Sequence, residues 1–161
     1  EFTDLWQAAR DGGLDHWVDG TVGTLAFLVL TDQLPRNMFR GKADSFATDP
    51  LALAAAKTAI AQGWDLDAPE PERQFFYMPL EHSENAEDQA LSVTMMTERM
   101  TDPDLLLHAR AHRDIIARFG RFPNRNAALG RTSTPDEAAF LAEGGYGAVV
   151  RALKDSHAAS A

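Results

Sequence analysis

Two short stretches of the chain combine proline, arginine and asparagine at a predicted helix boundary. The first runs from Asp32 to Gly41 and the second from Arg118 to Gly130. Each passes from an apolar helical pattern into Leu-Pro or Phe-Pro and then reaches arginine and asparagine. Because proline disfavours helix at the preceding residue and suits the first helical position, the pattern predicts new helices beginning at Pro35 and Pro123.

The polar side chains of these stretches are of the types that bind anions. The first N–H groups of a helix lack intrahelical partners, and guanidinium groups bind carboxylates and phosphates in a forked geometry. We therefore predict a polar pocket for an anionic small molecule or a peptide carboxylate. The candidate ligand-binding residues are Asp32, Arg36, Asn37, Arg40, Arg121, Arg125 and Asn126. The alternative is that these arginines pair only with acids or carbonyl groups of the fold.

A third proline break, at Met78-Pro79, is followed by acids and a histidine. On a continuing helix, Glu81, Glu84 and Asp88 would share one face at positions i, i+3 and i+7. Glu81 or Glu84 would then form an acid–base pair with His82, which predicts a hydrolase or a lyase as the alternative function. The simpler interpretation is a set of carboxylates that the dipole of a helix start stabilises.

Two further histidines, His108 and His112, are spaced i, i+4 on a predicted helix. This spacing can place two imidazoles on one metal ion, but the acid that a zinc-protease helix carries between its histidines is absent. We interpret His112 as a hydrogen-bonded interior residue, with general base catalysis as its alternative role. We expect no metal site and no cofactor.

Composition narrows the class of protein. The chain has 161 residues, 45% of them hydrophobic, which predicts a single globular domain over residues 1–161. The absence of cysteine excludes a thiol nucleophile and fits a cytoplasmic location. A net charge of -9 argues against nucleic acid as a partner. The longest apolar run, Leu25 to Leu30, is far short of the ~20 residues that span a membrane. The oligomeric state stays open.

The periodicity of the apolar residues is helical throughout, and no alternating strand pattern of useful length occurs. The predicted architecture is all-α, with antiparallel helix pairs and short connections. A buried central helix is predicted from Val22 to Leu34, and another helix from Asp104 to Phe119 with Gly120 as its cap. Thr134 and Glu137 form a capping box at a later helix start. The arginine-rich segment 110–131 is expected to face the acidic segment 65–88.

Four strings in the same order resemble a family known only as domain of unknown function family 924. They are Asp32–Gly41, Phe46–Ala52, Met78–Glu84 and Arg118–Gly130, and the resemblance covers nearly the whole chain. The resemblance implies a tetratricopeptide-like helical bundle or solenoid, and an additional Trp- and Phe-containing segment before Glu1. It implies no particular activity. A tetratricopeptide-like protein-interaction scaffold is therefore a further alternative function.

Overall fold

The computed structural model describes residues 1–160, and within them the chain is helical without any strand. This confirms the all-α class, whereas the tetratricopeptide-like arrangement stays a prediction. None of the helices in this range has the length and apolar content needed to cross a membrane. The α-helices are α1 Phe2–Arg10, α2 Thr21–Leu28, α3 Leu34–Met38, α4 Asp49–Gln62, α5 Met78–Glu81, α6 Ala86–Arg99, α7 Pro103–Phe119, α8 Asn126–Leu129, α9 Pro135–Ala142 and α10 Gly145–Ser160.

Shorter helical turns connect these helices. A π-helical turn, Val29–Gln33, joins α2 to α3. The 3-10 turns are Asp15–Trp17, Ala43–Phe46, Trp64–Asp67, Glu72–Phe76 and Pro123–Arg125. The chain divides into two compact units, of which the first is Glu1–Ser83 and the second begins at Glu84. The single domain predicted over residues 1–161 stays a prediction.

The first unit is organised around the continuous helical run formed by α2, the π-helical turn and α3. In this run α2 packs against α4, and the π-helical turn packs against α1 and α4. Phe27, Leu28 and Leu30 are buried, as the apolar pattern of this segment predicts. The predicted central helix is therefore present, and the helical run that contains it extends to Met38.

The helix break predicted at Pro35 is wrong, because the chain passes from the π-helical turn directly into α3. Pro35 has no N–H, so it cannot donate the usual helical hydrogen bond to the carbonyl oxygen of Thr31. That oxygen instead accepts a hydrogen bond of 2.6 Å from the hydroxyl of Thr48. The Thr48 oxygen in turn accepts one of 3.0 Å from the indole N–H of Trp6. The run continues at Pro35, so no new helix start with unpaired N–H groups is available there to bind an anion.

The second unit is built on α7. Both α6 and α10 pack against α7, and α9 packs against α10. Ile115, Ile116, Phe122 and Phe140 form one buried cluster of this unit. Gly120, with a φ of 72°, ends α7 as predicted.

The helix starts of the second unit follow local signals in the sequence. Phe122 is extended and a 3-10 turn begins at Pro123, which confirms the predicted break. The capping box of Thr134 and Glu137 is also confirmed. The helix predicted to continue beyond Glu81 is wrong, because α5 ends there and Asn85 caps α6 by accepting hydrogen bonds from two backbone N–H groups. Glu81, Glu84 and Asp88 therefore do not form one stripe.

The hydroxyl of Thr48 is expected to stabilise the first unit because it satisfies two buried groups. Thr48→Val leaves the Thr31 carbonyl and the Trp6 N–H without this partner, which should lower the free energy of unfolding by about 2–3 kcal/mol. Urea denaturation measures the change. Thr58→Val, at an exposed site on α4, the helix that follows Thr48, is the matched control and should change stability by less than about 0.5 kcal/mol. Equal effects of the two substitutions would contradict the assigned role.

Candidate functional site

Asp32 is a buried carboxylate in the π-helical turn, with only 1% of the residue exposed. Its Oδ1 lies 2.7 Å from Nδ1 of His82 and 3.4 Å from Nη1 of Arg36. Its Oδ2 accepts a hydrogen bond from the side-chain amide of Gln33. Burial acts to raise the pKa of Asp32, but His82 and then Arg36 outweigh it and hold that pKa below its usual value. Asp32 is therefore ionised at neutral pH.

His82 follows the last residue of α5, and its side chain is 12% exposed. Because an ionised carboxylate only accepts hydrogen bonds, the proton of a neutral imidazole is held on Nδ1, where it faces Asp32. The lone pair of this tautomer is then on the other ring nitrogen, Nε2. A carboxylate on Nδ1 is the arrangement that orients a histidine for general base catalysis.

Glu81 precedes His82 in the chain and is 4% exposed. Burial raises the pKa of Glu81 to about 8, and the negative charge of Asp32 adds to the effect. The carboxyl group therefore carries a proton at neutral pH, while Asp32 does not. Two neighbouring acids whose pKa values are pushed in opposite directions are characteristic of acid–base sites.

Arg36 is bound to carboxylates of the fold. Its Nη1 and Nη2 lie 2.8 and 2.9 Å from the two carboxylate oxygens of Asp49, at the start of α4. Nη1 also donates to the backbone carbonyl of Asp32 at 2.7 Å. Asn37 and Arg40, the other candidates from this stretch, are exposed.

The remaining candidates lie in the second unit, where Arg131 is a residue that the site prediction missed. Arg131 Nη1 lies 2.9 Å from Glu84 Oε1, and its Nε donates to the side-chain oxygen of Asn126 at 2.9 Å. The backbone N–H of Phe122 donates to Glu84 Oε2 at 2.6 Å. Burial acts to raise the pKa of Glu84, but these two donors lower it below its usual value. Glu84 is thus an ionised partner of arginine.

Arg121 and Arg125 also contact groups of the fold. Nε and Nη2 of Arg121 lie 2.8 and 2.7 Å from the carboxylate oxygens of Glu137, which is 2% exposed. Hydrogen bonds from Arg121, and then from the backbone N–H of Thr134, lower the pKa of Glu137 far below its usual value. Arg125 is buried, with its guanidinium carbon 4.7 Å from the centre of the Phe122 ring. Arg121 and Arg131 thus pair with Glu137 and Glu84 of the fold. Pairing of arginines with acids of the fold is the alternative to ligand binding that the sequence left open.

His112 belongs to a different part of the second unit. Its Nδ1 donates to the backbone carbonyl of His108 at 2.7 Å, and its ring packs against the rings of Phe122 and Tyr146. This contact matches the interpretation of His112 as a hydrogen-bonded interior residue. Across residues 1–160, no group of three or more His, Asp or Glu side chains is arranged to hold a metal ion.

The structure thus brings together four of the predicted site residues in the first unit: Asp32, Arg36, Glu81 and His82. The pairing of Asp32 with His82 was not predicted, because fifty positions separate them in the chain. One signal was available in the sequence. Pro35 within an apolar helical pattern marks an irregular helix, and π-helical turns are frequent at functional sites.

The chain is thus an all-α protein with a buried carboxylate–imidazole pair. The model of a family described as "Bacterial protein of unknown function (DUF924)" matches residues 1–145, and the chain belongs to this family. It is similar to a solved structure of a protein of unknown function, ATU0120 from Agrobacterium tumefaciens, with 44% sequence identity and a TM-score of 0.84. The match covers 89% of this chain and 80% of that one. No protein among those with curated descriptions matches the chain.

The raised pKa of Glu81 predicts how stability changes with pH. Between its usual value of 4.5 and about 8, the folded protein holds a proton that the unfolded chain releases. The contribution of Glu81 to the free energy of unfolding is therefore fully present below pH 4.5. As pH rises from 4.5 toward 8, the free energy of unfolding falls by up to about 1.4 kcal/mol per pH unit. Glu81→Gln should remove this slope.

Urea denaturation of the wild type and of Glu81→Gln at pH 5, 6, 7 and 8 tests this expectation. The opposite effect of Asp32 falls at lower pH, because its pKa is lowered from 3.8. Glu72→Gln controls for the loss of one negative charge at an exposed site of the same unit. A stability difference between wild type and Glu81→Gln that does not vary with pH would contradict the raised pKa.

Proposed function

We propose that the protein is an enzyme that uses general acid–base catalysis, as a hydrolase or a lyase, with His82 as the base. The observation that carries this proposal is the contact of 2.7 Å between His82 Nδ1 and the buried, ionised Asp32. The contact orients the ring and stabilises the imidazolium that forms when Nε2 accepts a proton. A histidine serving only to fill the interior does not require a buried carboxylate for that purpose.

Glu81 has the complementary role of acid in this proposal. A carboxyl group with a pKa of about 8 is protonated at neutral pH and can release its proton to a departing oxygen. In hydrolysis, His82 takes a proton from the attacking water and Glu81 protonates the leaving group. In elimination, His82 takes a proton from carbon and Glu81 protonates the departing hydroxyl. Glu84 does not fit the role of acid, because its pKa is lowered by Arg131.

Binding of an anionic ligand, the other function considered, has less support. Arg36 and Arg121 each hold a carboxylate of the fold with two hydrogen bonds. A ligand would have to displace Asp49 or Glu137 and leave that carboxylate without its partner, which is costly for a buried group. Arg40 and Asn37 are exposed and lie on the surface of the first unit.

The interaction scaffold has limited support from the first unit. An apolar cavity of 310 Å³ is lined there by Phe2, Leu5, Trp17, Ala26, Val29, Leu30 and Leu34. This volume is that of a small-molecule pocket rather than that of the long groove in which a partner helix binds. We therefore prefer the enzyme.

Substitution of His82 tests the catalytic proposal. We would assay the purified chain with a panel of carboxylic esters, amides, phosphate monoesters and 3-hydroxy acids, and then measure each variant on the compounds that are converted. His82→Gln should lower kcat/KM by about 10²- to 10⁴-fold, which is the usual contribution of a general base. Asp32→Asn should also lower it, because the amide does not stabilise an imidazolium.

The control for this assay is His157→Gln, at an exposed position of α10, which should leave the rate unchanged. Urea denaturation of each variant separates loss of activity from loss of fold. If protonated Glu81 is the acid, the rate should also fall above about pH 8, where Glu81 ionises. Conversion of none of the compounds, or a rate that His82→Gln leaves intact, would count against the enzyme.

A further inference from the structure

A hydroxyl, an imidazole and a carboxylate also lie in series in the second unit, where α10 packs against α7. The hydroxyl of Tyr146 is hydrogen-bonded to Nδ1 of His108. On the other side of the ring, Nε2 of His108 lies 3.5 Å from Oδ2 of Asp104. Asp104 and His108 are spaced i, i+4 on α7 and therefore share a face. Tyr146 is near the start of α10.

These contacts fit one tautomer of a neutral His108. In it Nδ1 accepts the hydrogen bond of the phenol, and the ring proton is on Nε2, on the side of Asp104. The order is then nucleophilic hydroxyl, base and orienting carboxylate, which is the arrangement that activates a nucleophile. Lys154 Nζ lies 4.0 Å from the other carboxylate oxygen of Asp104. The ring of His112 packs against Tyr146, with 4.9 Å between ring centres.

This group is more exposed to solvent than the Asp32–His82 pair. The side chains of His108 and Asp104 are 35% and 56% exposed, and Tyr146 is half-buried. The chain contains two tyrosines. The other one, Tyr77, is 0% exposed and donates its hydrogen bond to the buried Asp65. Tyr146 is therefore the more exposed of the two tyrosines and the one expected to react.

We propose that Tyr146, with His108 as its base and Asp104 as the orienting group, is a second reactive centre that accepts acyl groups from activated esters or thioesters. The phenol oxygen attacks the carbonyl carbon of the donor, and its proton moves to Nδ1 of His108. The bond from the carbonyl carbon to the leaving oxygen or sulfur breaks, and the proton passes from His108 to the leaving group. The products are an acyl ester of Tyr146 and a free alcohol or thiol.

Acetylation by p-nitrophenyl acetate tests this centre in the full chain. Peptide mass mapping locates the acetyl group, and the increase of acetylated Tyr146 with time gives the rate. We expect the acetyl group on Tyr146, at a rate above that of N-acetyltyrosinamide at the same pH, and none on Tyr77. Tyr146→Phe should abolish this product. His108→Gln should slow its formation by about 10²-fold, because the base is lost.

His157→Gln, at an exposed position of α10, is the control and should acetylate Tyr146 at the wild-type rate. Because the acetyl group is measured on Tyr146 itself, this centre is tested separately from the Asp32–His82 pair. Acetylation of Tyr146 no faster than that of N-acetyltyrosinamide, or unaffected by His108→Gln, would show a hydrogen bond that serves the fold alone. If His108→Gln does not fold, the Asp104→Asn variant is measured instead, because the Asp104 side chain is more than half exposed. A slower reaction of Asp104→Asn supports the centre, and an unchanged rate overturns it.

Discussion

Asp32 carries a negative charge in the interior of the first unit, and this charge constrains the elements around it. A buried ion costs several kcal/mol unless it has partners. Asp32 obtains them from His82, which follows α5, and from Arg36, which lies one turn later in the same helical run. Arg36 extends the set by binding Asp49 at the start of α4. One buried charge thus fixes α3, α4 and the end of α5 relative to each other.

The irregular backbone of the helical run supports the same group of side chains. Pro35 cannot donate to the carbonyl of Thr31, which is satisfied instead by the hydroxyl of Thr48. The next carbonyl, that of Asp32, accepts a hydrogen bond from the guanidinium of Arg36. Side chains thus donate to two successive backbone acceptors of the run, and the first of these acceptors has no helical donor because residue 35 is proline. The π-helical turn that presents the Asp32 carboxylate is stable because other elements supply these donors.

Features of the fold that depend on neighbouring residues could be predicted from the sequence, and features that depend on distant ones could not. Gly120, Pro123 and the capping box at Thr134 act within one turn of the chain, and the structure confirms each. The helix break predicted at Pro35 failed because a distant hydroxyl replaces the missing donor. The pairing of Asp32 with His82 joins two elements whose separation no periodicity encodes. Similarly, the sequence identified arginines as binding groups but could not say which carboxylates they bind.

The placement of Glu81 beside Asp32 is difficult to explain by stability alone. Burial, and then the negative charge of Asp32, raise the pKa of Glu81, so the second acid keeps its proton at neutral pH. Apolar residues of similar size would fill the same volume without the cost of burying an ionised carboxylate, a carboxylic acid and an imidazole. A proton donor next to an oriented proton acceptor is, however, what an acid–base reaction needs. The composition of this cluster is therefore the reason for proposing an acid–base function.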